Sequence, residues 1–163
     1  MTRVGVDLIE IRRVRRSLER YAGLRDRCFT QAEQAYCDSR KNPAESYAGR
    51  FAGKEAVGKA LGFGVARAFA WKDIEIAGRP KPSVRLSGRV AAWAEGVEAG
   101  AIDLSMTHSR ELASAVAVVD STWGNPRFPH EPLLPACSRA SHDFGSRRAK
   151  PGSSGERKPI DDV

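Results

Sequence analysis

The chain has 163 residues, 41% of them hydrophobic, enough for one folded domain with a sizeable core. No apolar run approaches 18 residues and the opening MTRVGVDLIEIRRV lacks the apolar stretch of a secretory signal, so neither a membrane span nor an export signal is expected. A net charge of +7 points to a polyanionic partner, whether nucleic acid, an acidic protein or a phosphorylated ligand.

Residues 3–9 alternate as a strand, with Val4, Val6 and Leu8 on one face and Gly5 and Asp7 on the other. A helix is predicted over 10–21, where Ile11, Val14, Leu18 and Tyr21 fall in one apolar arc of about 80°. Arg12, Arg13, Arg16 and Arg20 gather on its opposite side. TQAE, Thr30 to Glu33, is a capping-box pattern that opens a short helix through Tyr36 and Cys37. Pro43 suits the first turn of a long helix and Gly62 its end. WKDIEI, 71–76, reads as a strand, and SVRL follows a turn at 78–82 as the next. SGRVAAWAEGVEAG is helical, with Val90, Ala94 and Val97 on one face. IDLSM and LASAVAVV then form a hairpin. The order implies an α+β fold, with helices packed on a small antiparallel sheet over residues 1–120. From residue 121 onward the chain holds six of its nine prolines and no periodicity, the composition of a disordered tail. Cys28, Cys37 and Cys137 are odd in number and lack metal-site spacing, which suits reduced thiols in a cytoplasmic protein.

The chemistry concentrates in RFAGKEAVGKALGFG, 50–64, a helix too charged for a core and too rich in small residues for a solvated surface. Glu55 and Lys59 lie one turn apart. Taken alone they are a surface ion pair worth about 0.3–0.5 kcal/mol. Ala48, Ala52, Phe51 and Gly62 flank them, however, so this face is expected to be partly buried, and a carboxylate there needs a partner. Asp7 is the candidate, on a strand face where Gly5 leaves room for an approaching group. Two carboxylates that share a cation with phosphate and water suit Mg²⁺. Arg50 and Lys54 sit well away from Glu55 on the wheel, so they either face solvent or serve a long ligand where chains meet. His108 falls at a strand end, a place where histidines are more often structural than catalytic. The arginine face of the first helix suits an acidic partner, because guanidinium pairs carboxylates bidentately.

GVDLIEIRRV, FTQAEQAYC, RFAGKEAVGKALGFG, WKDIEI, GRPKP and LSMTHSRELASAVAVV occur in the order and spacing of the holo-[acyl-carrier-protein] synthases, and residues 3–120 resemble that family of 4′-phosphopantetheinyl transferases. The resemblance implies transfer of phosphopantetheine from coenzyme A to a serine of an acidic acyl carrier protein of fatty-acid or polyketide assembly, with release of 3′,5′-ADP. It implies that Asp7 and Glu55 hold Mg²⁺ and that Lys59 stabilises the leaving phosphate. It places Arg50, Lys59, Gly62, Gly64, Thr107 and His108 against coenzyme A. Arg13, Arg20 and Arg27 would grip the carrier. A homotrimer with active sites between subunits is expected, since one helix carries charges on two sides and larger relatives of the family resemble two fused units. The rival reading is a basic nucleic-acid-binding module without catalysis.

Overall fold

In the computed structural model, which describes residues 1–64, 70–78 and 81–121, the chain opens with β1 (Thr2–Glu10) and α1 (Ile11–Arg20). There follow α2 (Leu24–Cys28), α3 (Gln31–Asp38) and α4 (Pro43–Leu61). A 3₁₀ turn (Trp71–Asp73) leads into β2 (Ile74–Ala77) and β3 (Ser83–Leu86). Then come α5 (Gly88–Gly96), β4 (Ala99–His108) and β5 (Leu112–Ser121). These residues belong to one unit, Met1–Arg127, while a second, Phe128–Val163, lies outside the described residues. The tail is predicted from 121, but Ser121 is the last residue of β5; residues 122 onward, Cys137 included, and part of the turn at 78–82 lie outside the described residues too.

The architecture is α+β, as expected, with its antiparallel strands in two groups: a sheet ordered β1-β5-β4 and a ribbon of β2 and β3. Register places Gly5, Ala117 and Leu104 in one row across the sheet, then Asp7, Ala115 and Met106, then Ile9, Ala113 and His108. This face is covered by α4, which packs on all three strands. Ala113, Ala115 and Ala117 are buried beneath it, and Ala48, Ala52 and Ala56 of the helix have no exposed surface.

Small residues on both sides bring helix and sheet close, and this corrects the reading of Gly5. A Cβ there would stand 2.0 Å from the Ala56 carbonyl oxygen and 2.5 Å from the Ala60 nitrogen. The missing side chain admits the helix backbone, not a ligand. At Gly53 a Cβ would meet Ile76 Cδ1 at 2.4 Å, so that glycine seats α4 against β2 and β4.

The caps follow the local chemistry. Thr30 Oγ1 accepts from Glu33 N and Glu33 Oε2 from Thr30 N, completing the predicted capping box. Pro43 opens α4, and Gly62, at φ 70°, closes it with Phe63 N donating to the Gly58 carbonyl. Other boundaries differ from expectation. Tyr21 lies beyond α1 in extended backbone and is exposed, so the apolar arc ends at Leu18. The five-residue α2 is an addition. Trp71 and Asp73 sit in a 3₁₀ turn, not a strand, because Asp73 turns back to accept from Arg89 N at the start of α5. That helix ends at Gly96, and β4 begins three residues later, earlier than predicted.

Val4, Val6 and Leu8 form the outer face of β1 and remain 52–61% exposed. Val116 and Leu112 of β5 continue this apolar surface.

Candidate active site

Asp7 and Glu55 meet where β1 runs beneath α4. Asp7 lies in mid-strand, its side chain mostly covered by the helix. Lys59 Nζ donates to Asp7 Oδ1 and to the Val6 carbonyl, each at 2.8 Å, while half of its side chain stays in solvent. Burial raises the Glu55 pKa above the ordinary carboxylate value, the Asp7 charge raises it further and Lys59 opposes both. Two carboxylates crowded enough to repel form a hard oxygen donor set, and a divalent cation would relieve the repulsion. No third His, Cys, Asp or Glu completes a metal cluster among the described residues.

The opposite flank of α4 carries the other charge. Arg50, five residues from Glu55 and so about 140° round the helix, opens onto a cleft of about 670 Å³, a size suited to a small ligand. Arg15, Arg40, Lys41, Thr107 and His108 share its walls, and Asp7, Glu55 and Lys59 are not among them. Arg50 is only 5% exposed. Its guanidinium lies 3.8 Å from the centre of the Tyr36 ring, and its Nε has no hydrogen-bond partner among the described residues. His108 follows Leu104 and Met106 along β4 and emerges, exposed, at the cleft.

Lys54 lies between the two flanks and corrects the expectation for it. It is fully buried, its Nζ donating to Glu33 Oε2 at 2.7 Å, the Trp71 carbonyl at 2.8 Å and the Ile74 carbonyl at 2.6 Å. Three acceptors match the three hydrogens of an ammonium. Burial lowers the Lys54 pKa and Glu33 opposes that shift. Glu33 Oε1 accepts from Ile76 N as well, so α3, α4, the 3₁₀ turn and β2 meet at one satisfied ion pair. Neither Arg50 nor Lys54 faces solvent.

The structure therefore divides the predicted residues into two groups. Asp7, Glu55 and Lys59 come together, with Gly62 and Gly64 just beyond the end of α4. Arg50, Thr107 and His108 come together elsewhere. Arg13 and Arg20 share a shallow basic groove with Arg12, Arg16 and one acid, Glu10, whereas Arg27 is exposed on α2. Sequence reasoning missed Tyr36, Arg40 and Lys41 as cleft residues. The adjacent cations of SRKNP were the available signal for the last two; nothing local marked Tyr36.

Comparison with known proteins bears on this geometry. The model of the 4′-phosphopantetheinyl transferase superfamily matches residues 3–117. A holo-[acyl-carrier-protein] synthase of Chlamydia felis is 46% identical over 120 residues, which are 72% of this chain and 96% of that protein. The chain belongs to the holo-[acyl-carrier-protein] synthases. The Moorella thermoacetica synthase is likewise 46% identical, over 76% of this chain and 97% of its own. Among solved structures, the synthase of Neisseria meningitidis superposes with a TM-score of 0.65 at 25% identity, covering 73% of this chain and 98% of its own. The synthase of Helicobacter pylori, in complex with coenzyme A, gives 0.62 at 28% identity, covering 72% and 99%. The reaction of the family is that of this chain: the phosphopantetheine group of coenzyme A passes to an acyl carrier protein. The nucleic-acid-binding alternative is not supported.

Proposed function

We propose that this chain performs the transfer at sites built between subunits, the acidic flank of α4 in one chain facing the basic cleft of the next. The observation that carries this reading is the separation of Asp7, Glu55 and Lys59 from the Arg50 cleft on two sides of one helix. A single coenzyme A extends from pyrophosphate to 3′-phosphate and needs both kinds of group. The exposed apolar strip of Val4, Val6, Leu8 and Val116 supplies a surface for association. A three-fold ring makes equivalent head-to-tail contacts and leaves no site unfilled.

Within such a site, Asp7 and Glu55 would hold a divalent cation of the Mg²⁺ type, which would neutralise charge on the pyrophosphate. Glu55 would accept the proton of the carrier serine. The serine oxygen forms its bond to the phosphorus that bears pantetheine, and the bond from that phosphorus to the bridging oxygen breaks. Lys59, held by Asp7 and the Val6 carbonyl, faces the charge that grows on the departing 3′,5′-ADP. Gly62 and Gly64, at the end of α4, would lie against coenzyme A as well. Arg50, Thr107 and His108 receive the nucleotide end. Positioning and charge neutralisation supply most of the rate in such a transfer. Arg13, Arg20 and Arg27 present exposed cations to the acidic carrier. Cys28 and Cys37 are buried free thiols, in keeping with a cytoplasmic setting.

The direct test is incubation with coenzyme A, Mg²⁺ and a serine-bearing apo carrier, followed by intact mass. The carrier should gain about 340 Da, the mass of the arm, as expected for this class of phosphoryl transfer. An unchanged carrier, with the protein folded and coenzyme A bound, contradicts the reading.

A further inference from the structure

Tyr36 is a focus for positive charge that the reaction as described leaves unused. It projects from α3 into the cleft wall, and two guanidiniums approach its ring: Arg50 Cζ at 3.8 Å and Arg40 Cζ at 5.6 Å from the centroid. The closer one belongs to a nearly buried side chain whose Nε has no hydrogen-bond partner among the described residues. Burying a cation without an anion is costly. An aromatic face offsets only part of that cost, through its quadrupole. The rest is left for an anion that enters the cleft, where Lys41 adds a third cation. The ring also restricts the rotamers of the guanidinium, so an incoming phosphate meets a fork already in place.

We infer that Tyr36 is a positioning residue whose ring presets Arg50, with Arg40 beside it, as the element that selects a nucleotide carrying a 3′-phosphate over one that lacks it. This rests on the reading that the cleft takes the nucleotide end of coenzyme A. Selectivity follows from the incomplete pairing of Arg50. A ligand without the 3′-phosphate leaves the preset cation unpaired and gains little from it, whereas a phosphate gains a charge-assisted, bidentate contact in a half-enclosed site.

The experiment is calorimetric titration of the full-length protein with 3′,5′-ADP and, separately, with 5′-AMP. Tyr36→Leu should weaken 3′,5′-ADP by about tenfold, the size of a desolvated cation–π contact, and leave 5′-AMP unchanged. Tyr36→Phe, which keeps the ring, should bind both as the parent does. Arg40→Gln, at an exposed position that does not endanger folding, should weaken 3′,5′-ADP alone by about threefold, in line with an exposed cation–π and phosphate contact. If neither Tyr36→Leu nor Arg40→Gln separates the two nucleotides while Arg50→Ala does, Tyr36 has no positioning role and the inference falls alone. Equal losses on both nucleotides would overturn it too, since a general structural defect has no preference for the 3′-phosphate. If Arg50→Ala leaves both affinities intact, the cleft is not the nucleotide site, and the inference falls with the reading beneath it.

Discussion

Three charges on one helix, Arg50, Lys54 and Glu55, differ in how far the protein completes their pairing. Lys54 is enclosed and satisfied, with three oxygen acceptors for three hydrogens. Its neighbour Glu55 sits half-buried beside a second carboxylate that repels it. Arg50, one turn earlier, is nearly buried beside an aromatic face and makes no ion pair among the described residues, although Glu45 lines the same cleft. A finished pair holds elements together and asks for nothing more. The two unfinished charges, of opposite sign and on opposite flanks, each call for a partner the chain does not supply. Glu55 and Arg50 thus differ from Lys54 in the pairing they are left to complete, even though Asp7 and Lys59 beside Glu55 already pair with each other.

If that contrast is right, Glu55→Gln should produce the largest effect. Turnover at saturating Mg²⁺ should fall by about four powers of ten, some 5 kcal/mol at the barrier. The melting temperature should hold or rise, because the substitution removes repulsion with Asp7. Lys54→Met should do the reverse, costing stability by about 3–5 kcal/mol in denaturant titration through the buried Glu33 charge left without its partner. Arg50→Met sharpens the comparison. It deletes a buried cation that makes no ion pair among the described residues, so stability should be kept or raised while coenzyme A binding weakens. A large stability loss from Arg50→Met would erase the distinction between the two kinds of charge.

Charge reversal at both Arg13 and Arg20 should raise the KM for the carrier about tenfold at low salt and flatten its salt dependence. The KM for coenzyme A should be unaffected. The smallest effect concerns pH. The native pKa of Glu55 is raised above its unfolded value near 4.5, so the folded state binds this proton more tightly. The stability this confers is full below pH 4.5 and is lost as pH rises through the native pKa. Glu55→Gln should remove that portion of the pH dependence of stability, read by denaturant titration without added Mg²⁺.

Much of the site was legible because it depends on one helix and one strand. Helical periodicity alone sets Glu55 beside Lys59 and opposes both to Arg50, and strand alternation puts Asp7 opposite Val6. The capping box at Thr30 was equally local. What escaped required knowledge of which elements meet. Gly5 reads as open space until α4 is seen against it. Val4, Val6 and Leu8 read as one face of a strand, yet nothing in the strand says that the helix covers the other face. Glu33 serves the cap it announces and also anchors Lys54, 21 residues away, a contact that leaves no periodic trace. Tyr36 reads only as part of the helix that the capping box opens, and its ring acquires a role only once α3 packs beside α4. The first turn of α5 is held by Asp73 across a loop, which converts a predicted strand into a 3₁₀ turn.

In the proposed assembly the two flanks of α4 complete each other across subunits, and mixed assemblies test this most directly. Glu55→Gln and Arg50→Ala chains, each deficient at low coenzyme A, are combined in equal amounts and allowed to exchange subunits, with exchange followed by native mass. In a ring with sites between chains, one interface in about four joins an intact acidic flank to an intact cleft, by random assembly. Activity should then rise to about a quarter of that of the parent, again by random assembly. Exchanged assemblies no more active than the two separate variants would contradict the account, because the acidic flank and the cleft would then act from the same chain.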